Sequence, residues 1–498
     1  MDIISAFVLL ILATIAVSYG WGMRGTTIGG EKGAMLPGAL LGALLAHFSG
    51  ILIVQEHFYI FSALGAVGMY FGGCMTYGET LSLSMSARPA TQLKKGLTAL
   101  FVKGFLWFAV FGSVFSTGVT AICGKYEVID LVLILVLTPT LALIGLKVFN
   151  RPHDTKDVIY PKIYFSKTRK EYWGAMAGMV IAFLIVNIIN LNAYSVIFSL
   201  ICGLFGGFGW VVAQLIQIYL KHYIKDSKIG FIRKLNTNAS FDTWKAMECT
   251  LGAIGGAGCV IAFLCTYDLF KSTVFVLELQ GGLKAFNERL ISIFIIIWFV
   301  LLLLDMLHYF VKVPLTIAEL KKLHSSGKIS DKKFKKKMEK AKPDTNEFKK
   351  KFNKVCEAYE FIVYAAFPFV LVALGSSLAS KTITVFILFW VLAQEIGYEK
   401  KKFRIPLTIL GVLLLAVQLI FKNFISFGVV LFIYTVIYEA LTLVLLVPEI
   451  LENINDNSLT LSKKERMVSA FKNLLKCRGF LITHGYFIIC IILILVNI

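Results

Sequence analysis

Trp173-Gly-Ala-Met-Ala-Gly-Met-Val-Ile-Ala-Phe-Leu-Ile-Val-Asn-Ile-Ile189 runs without a single charged side chain. After a polar break at Asn190 and Asn192, a second apolar run opens near Ser195 and continues past Trp210. Each is close to the ~20 residues that carry a helix across a bilayer core. In hydrocarbon every backbone N–H and C=O must be satisfied within the protein, which leaves only helices and closed barrels. Barrel strands are short and alternate apolar with polar residues, and these runs do neither. The pair predicts two membrane-spanning helices joined by a tight turn.

Similar runs recur along the chain. They begin near Ile3, Met35, Tyr59, Leu97, Val128, Trp173, Ser195, Glu248, Ile291, Tyr359, Thr382, Ile405, Phe424 and Phe480, about fourteen by the apolar-run criterion. Of 498 residues 57% are hydrophobic and 16% charged, with a mean hydropathy of +0.77; a soluble domain is about a quarter charged. The expected fold is an all-α polytopic membrane bundle. Residues 1–313 form an N-terminal bundle of about nine spans, 314–357 a basic cytoplasmic loop, and 358–498 a C-terminal bundle of about five spans. Met1 to Gly22 lacks a basic leader and a clear small-residue cleavage site, so it is read as a retained span.

The net charge is +20, from 50 basic and 30 acidic residues. No nucleic-acid fold signature accompanies it, so nucleic acid is not an expected partner. The excess lies in alternate loops: Arg24 and Lys32; Arg88, Lys94 and Lys95; Lys156 to Lys170; Lys221 to Lys234; the lysine-dense ninth loop; Lys400 to Arg404; and Lys463 to Arg466. By the positive-inside rule these loops face the cytoplasm and both termini lie outside. The expected location is a cytoplasmic (plasma) membrane of bacterial type. Membrane lipids are expected neighbours, and no oligomeric state is specified. The nine cysteines form no C-x-x-C pair and no zinc spacing. No metal is expected and no cofactor is specified.

Gly33, Gly104, Gly174 and Lys245 each stand near the cytoplasmic start of a span, about 70 residues apart, one helical hairpin per period. Duplicated hairpins leave such traces, but evenly sized hairpins produce the same spacing. In the ninth loop stands Ile317-Ala-Glu-Leu-Lys-Lys-Leu-His-Ser-Ser-Gly-Lys-Ile-Ser-Asp-Lys-Lys-Phe-Lys-Lys-Lys-Met-Glu-Lys340. This stretch resembles the SHOCT-type helical hairpin: a leucine-spaced helix, a glycine turn, then Ile-Ser, an acidic residue and Phe. It departs from that pattern in carrying lysines where acidic residues are usual and in being internal. The resemblance implies a small hairpin and no particular chemistry. Leu320, Leu323, Ile329, Phe334 and Met338 would form its two apolar faces, and its lysines suit anionic lipid headgroups.

The most unusual connection is Tyr19-Gly-Trp-Gly-Met-Arg-Gly-Thr-Thr-Ile-Gly-Gly-Glu-Lys-Gly-Ala-Met-Leu-Pro-Gly38. Its glycines allow backbone N–H groups to converge on a ligand, and a helix N-terminus follows. Arg24 and Lys32 add positive charge, Thr26 and Thr27 hydroxyls, and Glu31 a counter-charge. Gly-Lys-Ser/Thr is missing, so it is not a Walker A loop. It reads as an anion- or zwitterion-binding loop; the bland alternative is a glycine-packed cytoplasmic turn.

Ionisable groups at membrane depth default to functional hypotheses. Glu79 and Gln214 each follow a Gly-Gly pair toward the cytoplasmic end of a span, and Glu248 opens another. With the loop they are expected to line one cytoplasm-facing cavity, although each could instead reach the interface alone. Asp305 and His308 share a helix face and suit either a proton relay or a structural hydrogen bond. Glu395, Glu439 and His484 carry no recognisable spacing, and Glu56-His57 reads as an interfacial turn. No H-E-x-x-H, G-x-S-x-G, D-D-x-x-D or C-x-x-C signature is present. The leading expectation is transport of a small polar solute, anions included. The alternatives are a membrane-embedded transferase acting on a lipid or lipid-linked phosphate, with Glu31, Glu79 or Glu248 as base, and a non-catalytic component of a membrane complex.

Overall fold

The computed structural model describes residues 1–24, 30–73, 78–85, 90–150, 172–223, 242–279, most of 293–301, 317–325, 330–338, most of 362–384 and isolated positions between 429 and 468. Among them every regular element is helical. Five helices are long and apolar enough to cross a membrane: Ile3–Gly22, Gln92–Ile122, Val128–Phe149, Ala193–His222 and Thr243–Cys265. Gly33–His47, Phe58–Gly72, Trp173–Ile189 and Ile362–Ala373 are shorter apolar helices. The lengths and compositions suit an integral membrane protein. The expected spans from Ile405, Phe424 and Phe480 lie outside the described residues, apart from isolated positions.

The chain divides into two compact units, Met1–Phe286 with Phe369–Ile498, and Asn287–Pro368. The first contains α1 (Ile3–Arg24), α2 (Gly30–His47), α3 (Leu52–Glu56), α4 (Phe58–Gly73), α5 (Gly78–Met85), α6 (Ala90–Ile122), α7 (Val128–Phe149), α8 (Trp173–Ile189), α9 (Ala193–Ile218), α10 (Thr243–Cys265) and α11 (Tyr267–Leu279). A π-helical turn, Tyr219–Tyr223, extends α9. Helices α1, α2, α4, α6, α9 and α10 pack in sequence around a closed ring, with α10 returning to α1. Helix α8 packs on α6, and α7 packs on α8.

Glycine sets how closely these helices approach. A Cβ on Gly104 of α6 would lie 2.3 Å from the Gly206 carbonyl oxygen of α9, and one on Gly145 of α7 would lie 2.0 Å from the Gly174 carbonyl of α8. Such backbone contact is how helices gain packing energy where lipid removes the hydrophobic drive between them. Aromatic rings meet across the ring of helices. Phe115 of α6 touches Phe61 of α4 and Phe198 of α9, with centroids 6.1 and 5.7 Å apart. Phe270 of α11 touches Tyr194 of α9 and Phe263 of α10. Trp21 of α1 stands edge-on to Trp107 of α6 at 4.8 Å.

Outward faces are apolar. On α9, Ile197, Leu200, Leu204, Phe208, Val212 and Leu215 are exposed, while Gly203, Gly206, Gly207, Trp210 and Gln214 are buried. Large apolar residues outside and small or polar ones inside reverse the pattern of a soluble helix. Contacts also sort the helix ends. Lys245 at the start of α10 meets Gly22 near the end of α1, and Gln214 late in α9 meets Ser84 of α5. At the opposite end Tyr267 donates to Ser49 O, and Asn192 to Thr120. These are called here the lysine end and the asparagine end.

Two helices depart from the expected span pattern. Helix α5 is a separate eight-residue element between α4 and α6, where Glu79 was expected to lie toward the cytoplasmic end of the third span. Helix α11 follows α10 after Thr266 alone, between the expected spans that begin near Glu248 and Ile291; its 13 residues fall below a span's length, and Phe270 and Val274 are buried. The markers of the suspected repeat do not share one role: Gly104 and Gly174 sit at helix contacts, whereas Lys245 pairs with Glu248.

In the second unit, α12 (Ile317–Ser325) and α13 (Asp331–Met338) pack together where the hairpin was expected. His324 stacks on Phe334 at 4.2 Å and bonds Asp331 at 2.5 Å, and Leu320 is buried. Elsewhere in the unit Trp298 donates from Nε1 to Val363 O at 2.9 Å. Helix α14 (Phe367–Ala373) follows a π-helical turn at Ile362–Ala366.

Candidate functional site at the lysine end

Helix α5 packs against both α6 and α9. Its buried Thr80 and Ser84 are one turn apart and share a face. Opposite Thr80 stands Lys103 of α6, only 2% exposed, whose Nζ donates to Thr80 Oγ1 at 2.8 Å. Lys103 adjoins Gly104, which meets Gly206 of α9. Thirteen residues of α9 separate Ala193 from Gly206, or about 20 Å of helix.

Opposite Ser84 stands Gln214, fully buried. The Ser84 hydroxyl donates to Leu81 O at 2.8 Å. Gln214 Nε2 donates to Ser84 Oγ at 2.7 Å and reaches Leu81 O at 3.3 Å. A carbonyl oxygen only accepts, so the amide must turn its nitrogen toward α5. Its Oε1 then points elsewhere and is buried without a partner among the described residues. Gln217, one turn further on, is also fully buried, and neither its Nε2 nor its Oε1 has a partner among the described residues. Each such atom costs about 1–3 kcal/mol if nothing reaches it.

Beside this cluster, Lys245 Nζ pairs with Glu248 Oε2 at 2.7 Å and donates to Gly22 O at 2.8 Å. Ser18 of α1 donates to Cys249 O at 2.9 Å. The last turn of α1 is thus clamped to the first turn of α10, whose N-terminus is capped by Asp242 accepting from Trp244 N.

Of the residues singled out from sequence, Gln214 and Glu248 both lie at the lysine end, with different partners. Arg24 closes α1, Glu31 and Lys32 belong to the first turn of α2, and Glu79 belongs to α5, but their side chains lie outside the described residues. Thr26, Thr27, Asp305 and His308 lie outside them entirely. Sequence reasoning passed over Thr80, Ser84 and Gln217, and took Lys103 only as a marker of a span start. A lysine within the apolar run that follows Leu97 was the available signal.

It also passed over the asparagine end. There Asn192 Nδ2 reaches Thr120 Oγ1 at 3.1 Å, Asn187 Oδ1 at 2.9 Å and Ser195 Oγ at 2.6 Å. Tyr126 donates to Asn187 Oδ1, and Asn187 Nδ2 donates to Thr117 Oγ1 at 2.9 Å. Burial pushes the Tyr126 phenol up to about 12, which keeps it a donor. The network joins α6, α8 and α9, and the three closely spaced asparagines at the turn were its visible trace. Among the described residues no group of three or more His, Cys, Asp or Glu side chains could hold a metal ion. No family model, curated protein or solved structure matches the chain.

Proposed function

We propose that the chain is a multi-pass membrane transporter of a small polar, anionic solute, which it binds at the lysine end, facing the cytoplasm. The observation that carries this reading is the pair of buried glutamines at the lysine end. At the asparagine end, side chains from three helices bond one another. At the lysine end, Oε1 of Gln214 and both amide atoms of Gln217 are buried without partners among the described residues. Buried polar groups are normally satisfied, so such atoms mark a place for a polar guest. In this reading the protein has about fourteen spans, both termini outside and a plasma-membrane location of bacterial type, as the basic loops support. Cysteines placed at Lys228 and Lys335 should label from the same side; labelling from opposite sides would contradict the orientation.

Flux is the direct test. Liposomes carrying the purified protein, loaded with labelled small carboxylates, amino acids and polyols, should release at least one of them. Gln217→Leu should abolish that release without lowering expression. No release of any of these solutes, together with turnover of a lipid-linked phosphate in detergent, would replace transport with transferase chemistry.

A further inference from the structure

We infer that α5 is the gate of the lysine end: in this structure it covers Gln214 and Gln217, and it lifts from α9 to admit solute. The inference concerns regulation of the proposed site and rests on the transport reading. Oε1 of Gln214 and both amide atoms of Gln217 are fully enclosed, so no solute meets them until something moves. Helix α5 touches α9 on both sides of Gln217. Before it, Gln214 Nε2 donates to Ser84 Oγ at 2.7 Å; beyond it, His222 Nε2 meets Met85 O at 3.0 Å. Gln214 and Gln217 are three residues apart and share a helix face, so the face that α5 touches carries both.

Two other neighbours of α9 are locked to it. A Cβ on Gly206 would lie 2.5 Å from the Gly104 carbonyl oxygen of α6, and one on Gly207 would lie 2.8 Å from the Phe101 ring. A Cβ on Gly258 of α10 would lie 2.0 Å from the Phe205 Cβ. Parting these helices gives up close packing that lipid does not replace. By contrast, hydrogen bonds join α5 to α9: two from Gln214, to Ser84 Oγ and to Leu81 O at 3.3 Å, and the exposed one from His222. A carbonyl accepts only, so the His222 ring donates. Water can replace such bonds at small net cost. His222 stands in the π-helical turn Tyr219–Tyr223, and single π turns are frequent at functional sites. On its other side α5 seats on α6, where a Cβ on Gly96 would lie 3.0 Å from the Ser84 Cβ.

A thiol at position 217 tests the gate without any flux. Gln217→Cys is placed in the full chain in detergent, with Cys202 kept as a buried reference and the other native cysteines replaced by serine or alanine. Adding His222→Ala should speed maleimide labelling at position 217 by at least about fivefold, while Cys202 labels no faster. An unchanged rate at position 217, or an equal gain at Cys202, would overturn the gate. Ser84→Cys with Gly96→Cys, in a chain without native cysteines, locks α5 in place. The two Cβ atoms fall close to the ~3.5–4.5 Å that a disulfide spans, and diamide, a two-electron thiol oxidant, takes up both thiol protons and both electrons. In liposomes the oxidised form should release solute at least about tenfold more slowly than the same variant reduced. Equal, measurable release from both forms, or thiols that do not cross-link, would overturn the gate. The two readings fail separately: labelling that follows the gate with no flux of any solute removes transport, and flux indifferent to the cross-link removes the gate.

Discussion

Gly38 and Gly65 pack backbone against backbone. A Cβ on Gly38 would lie 2.2 Å from the Gly65 carbonyl oxygen, and one on Gly65 would lie 2.1 Å from the Gly38 carbonyl. Neither distance is relieved by turning a side chain, so α2 and α4 would have to separate. Gly38→Ala and Gly65→Ala should each destabilise the protein by about 1–3 kcal/mol, read as a lower melting temperature in detergent. The double variant should cost less than the sum, since one separation relieves both clashes. Full additivity would show that the two glycines do not share one contact.

At the asparagine end, Asn192→Ala removes the amide that reaches Thr120, Asn187 and Ser195. The expected loss is about 2 kcal/mol. Asn192→Asp should also destabilise, because it replaces the donor with a buried charge. A melting temperature unchanged in both variants would mean that the network does not hold α6, α8 and α9 together.

Tyr126 gives that network a pH limit. Its phenol ionises near 10 when free and near 12 when folded. Below pH 10 it is protonated in both states, and its stabilisation is fully present. As pH rises from 10 toward 12 the unfolded chain loses its proton first, so stability falls. Melting temperature should therefore drop more steeply above pH 10 in the native protein than in Tyr126→Phe. Equal slopes would show that Tyr126 is not held as a buried donor.

The ion pair of Lys245 and Glu248 anchors the end of α1 through Gly22 O. Glu248→Gln leaves Lys245 without its carboxylate and should destabilise the clamp, whereas Lys245→Met with Glu248→Leu removes both charges and should recover much of the loss. A cycle of melting temperatures reads the coupling. A double variant as unstable as Glu248→Gln alone would mean the pair is not the source of the clamp's strength.

Among the described residues of α12 and α13, Leu320 is buried and Phe334 is half-buried against His324. Deleting residues 321–342 should leave a monodisperse membrane protein by size-exclusion chromatography. Loss of all folded protein would show that the hairpin is part of the bundle's core.

The helices were legible because a span must be long and apolar whatever it packs against; each of the first eight expected runs coincides with a helix. What packs where was not legible. Gly104 and Gly206 both appear as glycines among others, and nothing in the chain says that they meet. Helix α5 was hidden because Glu79 was read as the tail of the third span, and nothing in Gly78-Glu-Thr-Leu-Ser-Leu-Ser-Met85 marks a separate helix that packs on α6 and α9.

 Its role follows from Lys103 and Gln214, which lie far from it in sequence and meet it only in the fold. Gln214 was found because an uncharged polar group at the end of an apolar run stands out. Gln217 follows the same signal more weakly, since it lies nearer the basic residues after α9.

Transport through the lysine end requires that its buried polar site be reached from both sides of the membrane in turn. Gln217→Cys, in a chain whose native cysteines are replaced by serine or alanine, places a thiol in that site. Sealed vesicles of each orientation are treated with a membrane-impermeant maleimide, with and without the solute that the liposomes release. The transport reading predicts rapid labelling from the cytoplasmic side, slower but complete labelling from the outside, and a change in the ratio of the two rates when that solute is present. Labelling from the cytoplasmic side alone, with no reaction from outside in either condition, would contradict it.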